Sequence, residues 1–257
     1  MRVGSLFAGI GGFDLGLERA GMRVRWQCEI NEWCRRVLAK HWPDVVRYGD
    51  ITTIDWSTVE PVDVLCGGFP CQDISLAGKG AGLSGERSGL WFEMLRVVRE
   101  VGPRFVLVEN SPALTCRGLG TVLGDLASLG YDAKWGVLGA HHAGAPHKRD
   151  RIWIVANSLP SWKWGITREA EAQGNVVANA DKIGCGQVEQ SITYGKVGEK
   201  AASETEHGCI ATRGTWWASE PGLGRVANGV ANRVDRLRCI GNGQVPAVVK
   251  LAWGELT

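Results

Sequence analysis

The stretch "VGSLFAGIGGFDLGLERAG", residues 3–21, indicates the class of fold. Its first five residues are predicted to form a short apolar strand that runs into a glycine-rich turn. Phe13, Leu17 and Ala20 then share one face of a helix, and Gly21 is a suitable residue to end it. A strand, a glycine-rich turn and a helix in this order are typical of α/β proteins that bind a ligand at the turn.

The same alternation continues well past the middle of the chain. The segments "VDVLC" (62–66), "FVLVE" (105–109) and "RIWIVA" (151–156) are predicted to be buried strands. Between them, apolar residues recur with helical spacing over 90–101 and 119–129. We therefore expect an α/β fold with a doubly wound, mainly parallel sheet.

A compositional boundary near residue 157 divides the chain. Residues 157–236 are rich in Gly, Ala, Asn, Thr and Trp and have no sustained periodicity, so we expect a separate small module after the 1–156 domain. Regularity returns in "VPAVVKLAWGEL", which is predicted to be a helix that opens near Pro246. Residues 237–257 are expected to return to the first domain.

Composition restricts the classes of protein. With 257 residues, 44% hydrophobic residues and a net charge of +2, the chain is an ordinary globular sequence, and a nucleic-acid site would have to be a local patch. It has no apolar run of 18 residues, so we expect no membrane span. The eight cysteines never form C-x-x-C, which favours reduced intracellular thiols over a disulfide framework or a metal site.

The glycine-rich turn and two acids suggest a cofactor site. Gly9 and Gly11 fit the start of the dinucleotide fingerprint G-x-G-x-x-G, but Asp14 takes the place of the third glycine. Glu29 closes a second predicted strand, "VRWQCE" (24–29), where a carboxylate can accept hydrogen bonds from ribose hydroxyls. Asp50 is placed to bond an adenine amine. A nucleoside-like cofactor other than a nicotinamide dinucleotide is favoured. A tight turn with two solvated acids explains this region, taken alone, equally well.

A cysteine and an acid follow two neighbouring strands. In "CGGFPCQDIS", residues 66–75, Cys71 lies just past a strand end, and Pro70 stiffens the turn that presents its thiol. Such a thiol is a candidate nucleophile if its surroundings favour the thiolate. Glu109 ends another strand and is expected at the same edge of the sheet. The alternatives are a half-buried loop cysteine and a solvated acid.

A basic segment precedes the last predicted strand. In "APHKRDRIWIVAN", residues 145–157, Arg149 and Arg151 alternate and therefore point to one face, where they could contact phosphates or the carbonyl edge of a base. A solvated basic loop is the alternative. We expect His147 to be a structural or positioning group, since Glu109 suits the role of the acid or base.

Six segments together resemble the DNA (cytosine-5)-methyltransferase family of bacteria and phages, in order and in spacing. They are "LFAGIGGF" (6–13), "GDI" (49–51), "GGFPCQ" (67–72), "VEN" (108–110), "KRDR" (148–151) and "RLRCIGNGQVP" (236–246). The resemblance covers roughly residues 1–156 and 225–257. It implies a Rossmann-like S-adenosylmethionine-dependent methyltransferase fold, with residues 157–236 as the target-recognition module and 1–156 as the catalytic domain.

The resemblance also implies a mechanism. The thiolate of Cys71 adds to carbon 6 of a flipped-out cytosine, and Glu109 hydrogen-bonds or protonates ring N3. Carbon 5 then takes the methyl group of S-adenosylmethionine. Arg149 and Arg151 match the family's active-site arginines, with Arg151 as the expected contact to the cytosine.

By the same resemblance, nine residues match the family's cofactor pocket. They are Phe7, Gly9, Gly11, Glu29, Ile30, Asp50, Ile51, Leu90 and Asn242. Phe7 and Ile30 would flank the adenine. Residues 75–88, "SLAGKGAGLSGERS", match the loop that closes over DNA in the family.

The resemblance implies double-stranded DNA as the partner. It is also compatible with a cognate restriction endonuclease that acts on the same site. We expect a cytoplasmic monomer. The sequence departs from the family at His147, where a glutamine is usual, and at Ser111, which replaces the valine of "ENV". The alternatives are a tRNA cytosine-5 methyltransferase of the same fold and a DNA-binding relative with impaired catalysis. A hydrolase that uses Cys71 with His147 would leave the glycine-rich turn unexplained.

Overall fold

One seven-stranded sheet forms the centre of the protein. A computed structural model describes residues 1–70, 89–159 and 233–257. Within these ranges the strand order is β3-β2-β1-β4-β5-β7-β6. The strands are β1 (Arg2–Leu6), β2 (Arg23–Cys28), β3 (Val46–Tyr48), β4 (Val64–Gly67), β5 (Phe105–Asn110), β6 (Tyr131–Leu138) and β7 (Arg151–Ser158).

Helices cover both faces of the sheet. Phe13 and Val249 belong to the apolar cluster on one face, and Trp91 and Leu126 to the cluster on the other, which confirms the doubly wound arrangement. The helices are α1 (Gly12–Glu18), α2 (Glu32–His41), α3 (Gly89–Val101), α4 (Leu114–Arg117), α5 (Leu119–Ser128), α6 (Arg233–Asn242) and α7 (Pro246–Leu256). Short 3-10 turns occupy Ile51–Thr53, Trp56–Thr58 and Ala140–Ala143. Among the described helices, none is both long and apolar enough to cross a bilayer.

Strand direction sets the position of the site. Strands β1 to β5 are parallel, whereas β7 is antiparallel to both of its neighbours, so the sheet is mainly parallel as expected. From β1 the chain proceeds outward to β2 and β3 on one side, and from β4 it proceeds to β5 on the other. The strand order therefore reverses between β1 and β4, where Leu6 pairs with Gly67. In open α/β sheets a ligand crevice forms at such a switch point, outside the carboxyl ends of the strands. Because β7 runs backwards, its first residue, Arg151, lies at that same edge, next to the pair formed by Ile152 and Asn110.

Strand β6 and helix α6 are two elements that the sequence does not predict. Strand β6 is not predicted from the sequence because its buried residues, Tyr131 and Leu138, lie only at its ends and its centre is half-buried or exposed. Helix α6 begins at Arg233, inside the range expected for the recognition module. Most of that module lies outside the described residues, so the division into domains stays a prediction.

Candidate active site

A cleft of about 610 Å³ opens at the carboxyl edge of the sheet, on both sides of the switch point between β1 and β4. Most of the predicted site residues contribute to its wall. Those that line it are Phe7, Gly9, Glu29, Ile30, Asp50, Ile51, Leu90, Glu109, Arg151 and Asn242.

One half of the cleft, which we call the cofactor side, consists of Phe7, Gly9, Glu29–Asn31, Asp50 and Ile51. The Glu29 carboxylate is fixed there by two backbone groups, because Oε2 accepts from the N–H of Gly9 at 2.8 Å and Oε1 from the N–H of Asn31 at 2.8 Å. Each carboxylate oxygen retains a further lone pair for a ligand hydroxyl. Glu29 is therefore more than a solvated strand-end acid.

Asp50 and two apolar side chains complete the cofactor side. The N–H and hydroxyl of Thr52 both donate to Oδ1 of Asp50, at 3.0 and 2.8 Å, and these bonds lower the pKa of Asp50. Ile30 is 69% exposed although it is apolar. Phe7 adopts a left-handed backbone with φ 51°, a strained conformation that is common at ligand sites. The cofactor side thus combines fixed acceptors with open apolar surface.

Gly11 is the one glycine of the predicted cofactor pocket with a clear packing role, and its contact with a cofactor stays a prediction. It does not line the cleft, and it lies at the N-cap of α1 with φ 88°, a conformation that favours glycine. A Cβ atom at this position would collide with the indole ring of Trp42. Gly11 is therefore needed for the turn and for packing against Trp42.

Asp14, which takes the place of the third fingerprint glycine, is completely buried beneath the turn. Its Oδ1 accepts from Nε2 of Gln27 at 3.0 Å, and its Oδ2 accepts from the hydroxyl of Ser5 at 3.2 Å. Burial raises the pKa of Asp14 to about 6, against the opposing effect of these hydrogen bonds. Asp14 therefore belongs to the core beneath the turn.

The other half of the cleft, the reaction side, consists of Glu109, Asn110, Arg151 and Gln244. Glu109 is only 8% exposed, with Oε1 at 2.9 Å from Nε of Arg151 and Oε2 at 3.1 Å from Nε2 of Gln244. Burial raises the pKa of Glu109, and the hydrogen bond from Gln244 and the charges of the two nearby arginines oppose that rise. A carboxyl group with a raised pKa is suited to holding a proton and donating it.

Arg149 is oriented away from its predicted position in the cleft. Its backbone is left-handed, with φ 43°, and its Nη2 donates to the carbonyl oxygens of Gly241 at 2.7 Å and Gly243 at 2.6 Å. The guanidinium group is therefore bound to residues 237–257, which we call the C-terminal segment. Arg149 borders a small cavity behind the cleft that Glu109 and Arg151 also line.

This site can be compared with known proteins. A family model described as C-5 cytosine-specific DNA methylase matches residues 1–182, well over half of the chain. The chain belongs to this family. The structures that resemble it agree on the fold.

Two curated relatives of this chain are Type II methyltransferases. M.NgoBI of Neisseria gonorrhoeae is 38% identical over 157 residues, and M.HhaI of Haemophilus parahaemolyticus is 35% identical over 159 residues. Each alignment covers 60% of this chain, but only 49% and 48% of the respective relative. The chain thus spans about half the length of the curated relatives it matches.

Two solved structures are similar to this chain. A protein encoded within an E. coli prophage is 25% identical to this chain with a TM-score of 0.52, and the match covers 62% of this chain and 47% of the prophage protein. The S. pombe Dnmt2 methyltransferase is 21% identical with a TM-score of 0.52, and covers 65% and 53%. The second likeness concerns the fold alone.

Two residues of the reaction side have no predicted role. The side chain of Asn110 donates from Nδ2 to the carbonyl of Phe69 at 3.2 Å, which joins the end of β5 to the segment before Cys71. Its Oδ1 accepts from the N–H of Ser111 at 2.8 Å. Gln244 lies in the quoted C-terminal segment, but its contact with Glu109 spans 135 residues, and nothing local in the sequence indicates it.

The remaining predictions concern the cysteine, its loop and the two departures from the family. Cys71 and residues 75–88 lie outside the described residues. Ser111 lines the cleft beside Asn110. The Nδ1 atom of His147 is buried and has no hydrogen-bond partner among the described residues. Residues 1–70, 89–159 and 233–257 contain no group of three or more His, Cys, Asp or Glu side chains arranged to hold a metal ion.

Proposed function

We propose that the protein transfers a methyl group from S-adenosylmethionine to carbon 5 of cytosine in a short, specific sequence of double-stranded DNA. The observation that carries this proposal is the buried carboxyl group of Glu109, held between Arg151 and Gln244 at the wall of the cleft. Family membership and the names of the curated relatives support it.

The cofactor side fits S-adenosylmethionine. A cleft of about 610 Å³ is within the usual size of small-molecule sites. The Glu29 carboxylate would accept the ribose hydroxyls, the acceptor oxygens of Asp50 would bond the adenine amine, and Phe7 and Ile30 would flank the ring. Leu90 and Asn242 line the same cleft and would complete the pocket. When bound there, S-adenosylmethionine supplies an electrophilic methyl group.

The side chains of the reaction side would activate the cytosine. The thiolate of Cys71 adds to carbon 6 as the double bond between carbons 5 and 6 opens, which makes carbon 5 nucleophilic. Carbon 5 takes the methyl group and S-adenosylhomocysteine leaves. Loss of the carbon 5 proton and elimination of Cys71 then restore the ring. Glu109 holds a proton on its carboxyl group and offers it to ring N3, a role to which burial of the carboxyl group is suited. Arg151 fixes Glu109. It lines the same wall of the cleft, where it would contact the base. Arg149 fixes the C-terminal segment.

Residues away from the cleft would recognise the DNA. Because carbon 6 is inaccessible in a duplex, the target base is flipped out before Cys71 reacts. Residues 157–236 would recognise the DNA sequence, and residues 75–88 would close over the DNA. The Type II names of the relatives favour a cognate restriction endonuclease for the same site. We propose that the protein acts as a monomer in the cytoplasm.

The reaction can be tested with purified protein, labelled S-adenosylmethionine and unmethylated genomic DNA, followed by bisulfite sequencing. We expect label in the DNA and protected cytosines at one short sequence. Unmethylated tRNA is assayed in parallel. Transfer to tRNA alone would favour the RNA enzyme, and transfer to neither substrate by a protein that binds the cofactor would contradict the proposal.

Replacement of Cys71 by serine isolates the covalent step. Cys71→Ser should reduce methyl transfer below detection, because a hydroxyl is a far weaker nucleophile than a thiolate toward carbon 6. The dissociation constant for S-adenosylmethionine, measured by calorimetry, should stay unchanged, as should the melting temperature. Cys116→Ser, at an exposed cysteine of α4, is the matched control and should retain full activity. Turnover by Cys71→Ser at the wild-type rate would remove Cys71 from the mechanism.

A further inference from the structure

The Glu109 carboxyl group has two supports of different origin. Arg151 donates to Oε1 from the beginning of β7, the strand paired with the one that carries Glu109. Gln244 donates to Oε2 from the three-residue connection between α6 and α7, 135 residues further along the chain. One carboxylate oxygen is thus bonded by a charged group and the other by a neutral amide.

Space for the second support depends on Gly68, just beyond β4. A Cβ atom at residue 68 would lie 2.6 Å from Oε2 of Glu109 and 2.9 Å from Nε2 of Gln244, closer than such atoms approach in proteins. The absence of a side chain at Gly68 therefore allows the amide and the carboxyl group to meet. The glycine-rich segment before Cys71 and the C-terminal segment converge on the same carboxyl group.

The backbone of Gln244 is also fixed. A Cβ atom at Gly12, the first residue of α1, would lie 2.7 Å from the carbonyl oxygen of Gln244 and 2.9 Å from its nitrogen, so the two backbones are in close contact. On the other side, Arg149 bonds the carbonyl oxygens of Gly241 and Gly243. Anchored on both sides, the segment presents the amide of Gln244 at a defined position.

The chemistry of an amide suits a carboxyl group that changes its charge. A guanidinium group can only donate hydrogen bonds, and it therefore favours the ionised form of Glu109. An amide carries both an N–H donor and a carbonyl acceptor. Gln244 can donate to the ionised carboxylate and, because its amide is neutral, can keep a hydrogen bond to an oxygen lone pair of the protonated acid while the single acid proton stays available for the base.

We propose that Gln244 is a positioning residue, which holds the Glu109 carboxyl group toward the substrate base in both of its protonation states. This inference rests on the proposed function for its catalytic meaning, although the contact itself does not depend on it. Arg149 contributes indirectly, since it fixes the segment that carries the amide.

The direct test is titration of Glu109 by carbon-13 NMR of the full-length protein labelled at glutamate, with the resonance identified by its absence in Glu109→Gln. In Gln244→Leu the pKa of Glu109 should rise, because the ionised form loses a donor while the carboxyl group stays buried. Gln244→Asn, which keeps the amide but withdraws it by one methylene, should give a smaller rise and serves if the leucine variant does not fold. An unchanged titration in the variant that folds would overturn the inference.

The kinetic test separates positioning from general stability. Gln244→Leu should lower kcat about tenfold or more, with KM for S-adenosylmethionine unchanged, and should move the alkaline limb of the kcat profile to higher pH. Lys134→Met removes an exposed hydrogen bond to the carbonyl of Thr257, at the far end of the C-terminal segment, and should leave both constants unchanged. An equal loss of kcat in both variants would overturn the positioning role.

The two proposals fail in distinguishable ways. If wild-type protein transfers no methyl group to DNA or tRNA, the proposed function is wrong, and the NMR titration still reports whether Gln244 governs Glu109. If transfer occurs and the titration of Glu109 is the same with and without the amide, only the role of Gln244 is wrong.

Discussion

The two sides of the cleft are constructed differently. On the cofactor side, Glu29 is held by the backbone of Gly9 and Asn31, and Asp50 by Thr52, two residues away. On the reaction side, Glu109 is held by side chains from β7 and from the C-terminal segment, 135 residues away in the case of Gln244. The cofactor side therefore depends mainly on short stretches of chain, whereas the reaction side depends on the complete tertiary structure.

The largest expected effect tests the reaction side. Glu109→Gln should lower kcat about 10²- to 10⁴-fold, because an amide cannot supply the proton that a buried carboxyl group holds. The dissociation constant for S-adenosylmethionine should stay within about twofold of wild type, since Glu109 lies on the other side of the cleft. Single-turnover transfer and calorimetry measure the two quantities. Glu100→Gln, in an exposed ion pair with Arg96, is the control. A parallel loss of cofactor binding would contradict the separation of the two sides.

A second prediction concerns Asp14, a buried acid that lies in the core, whereas Glu109 faces the cleft. The folded protein holds the proton of Asp14 more tightly than the unfolded chain does, with a pKa of about 6 against an ordinary 3.8. This group therefore stabilises the fold most below its ordinary pKa, and the contribution is lost as the pH rises through about 6.

Asp14→Asn should abolish that dependence. Relative to the variant, wild-type protein should lose on the order of 3 kcal/mol of unfolding free energy between about pH 4 and about pH 7. Urea unfolding at both pH values measures this difference. Methyl transfer by the variant should persist, because Asp14 does not line the cleft. A constant difference between the two proteins would show that Asp14 does not titrate as its burial implies.

The smallest expected effect concerns the cofactor side. Glu29→Ala should weaken binding of S-adenosylmethionine about 10- to 100-fold by calorimetry, because hydrogen bonds to a charged group are lost. The N–H groups of Gly9 and Asn31 also lose their acceptor, so a modest fall in melting temperature should accompany it. Glu32→Ala, at an exposed acid on α2, should bind the cofactor normally. Equal affinities for all three proteins would refute the ribose role.

Sequence patterns predict the part of the molecule that depends on short-range order. The first strand, its glycine-rich turn and the start of its helix lie where expected, because apolar periodicity is a local property. The helix ends at Glu18, before Ala20 and the predicted stop at Gly21. Glu109 and Arg151 share the cleft as expected, since each is adjacent to a recognisable strand. Their catalytic roles stay predictions.

The surroundings of Gly11 and Arg149 differ from what their spacing suggests, for one physical reason. The spacing of Gly11 suggests a ligand contact, but the indole ring of Trp42, which belongs to another element, decides its surroundings. Arg149 alternates with Arg151 and should share its face, yet its left-handed backbone turns it toward the carbonyl groups of the C-terminal segment. In both cases a tertiary contact that spacing does not encode determines the outcome.

The position of Gln244 in the chain has a consequence for biosynthesis. Domains begin to fold from the N-terminus during translation, and every strand that the structure describes is made before residues 239–245. We expect a nascent chain to build its sheet and cofactor turn on the ribosome while Glu109 still lacks one of its two supports. The Glu109 carboxyl group would acquire its final geometry only after the C-terminal segment docks. If the proposed function holds, unfinished chains would therefore be inactive because of the order of synthesis alone.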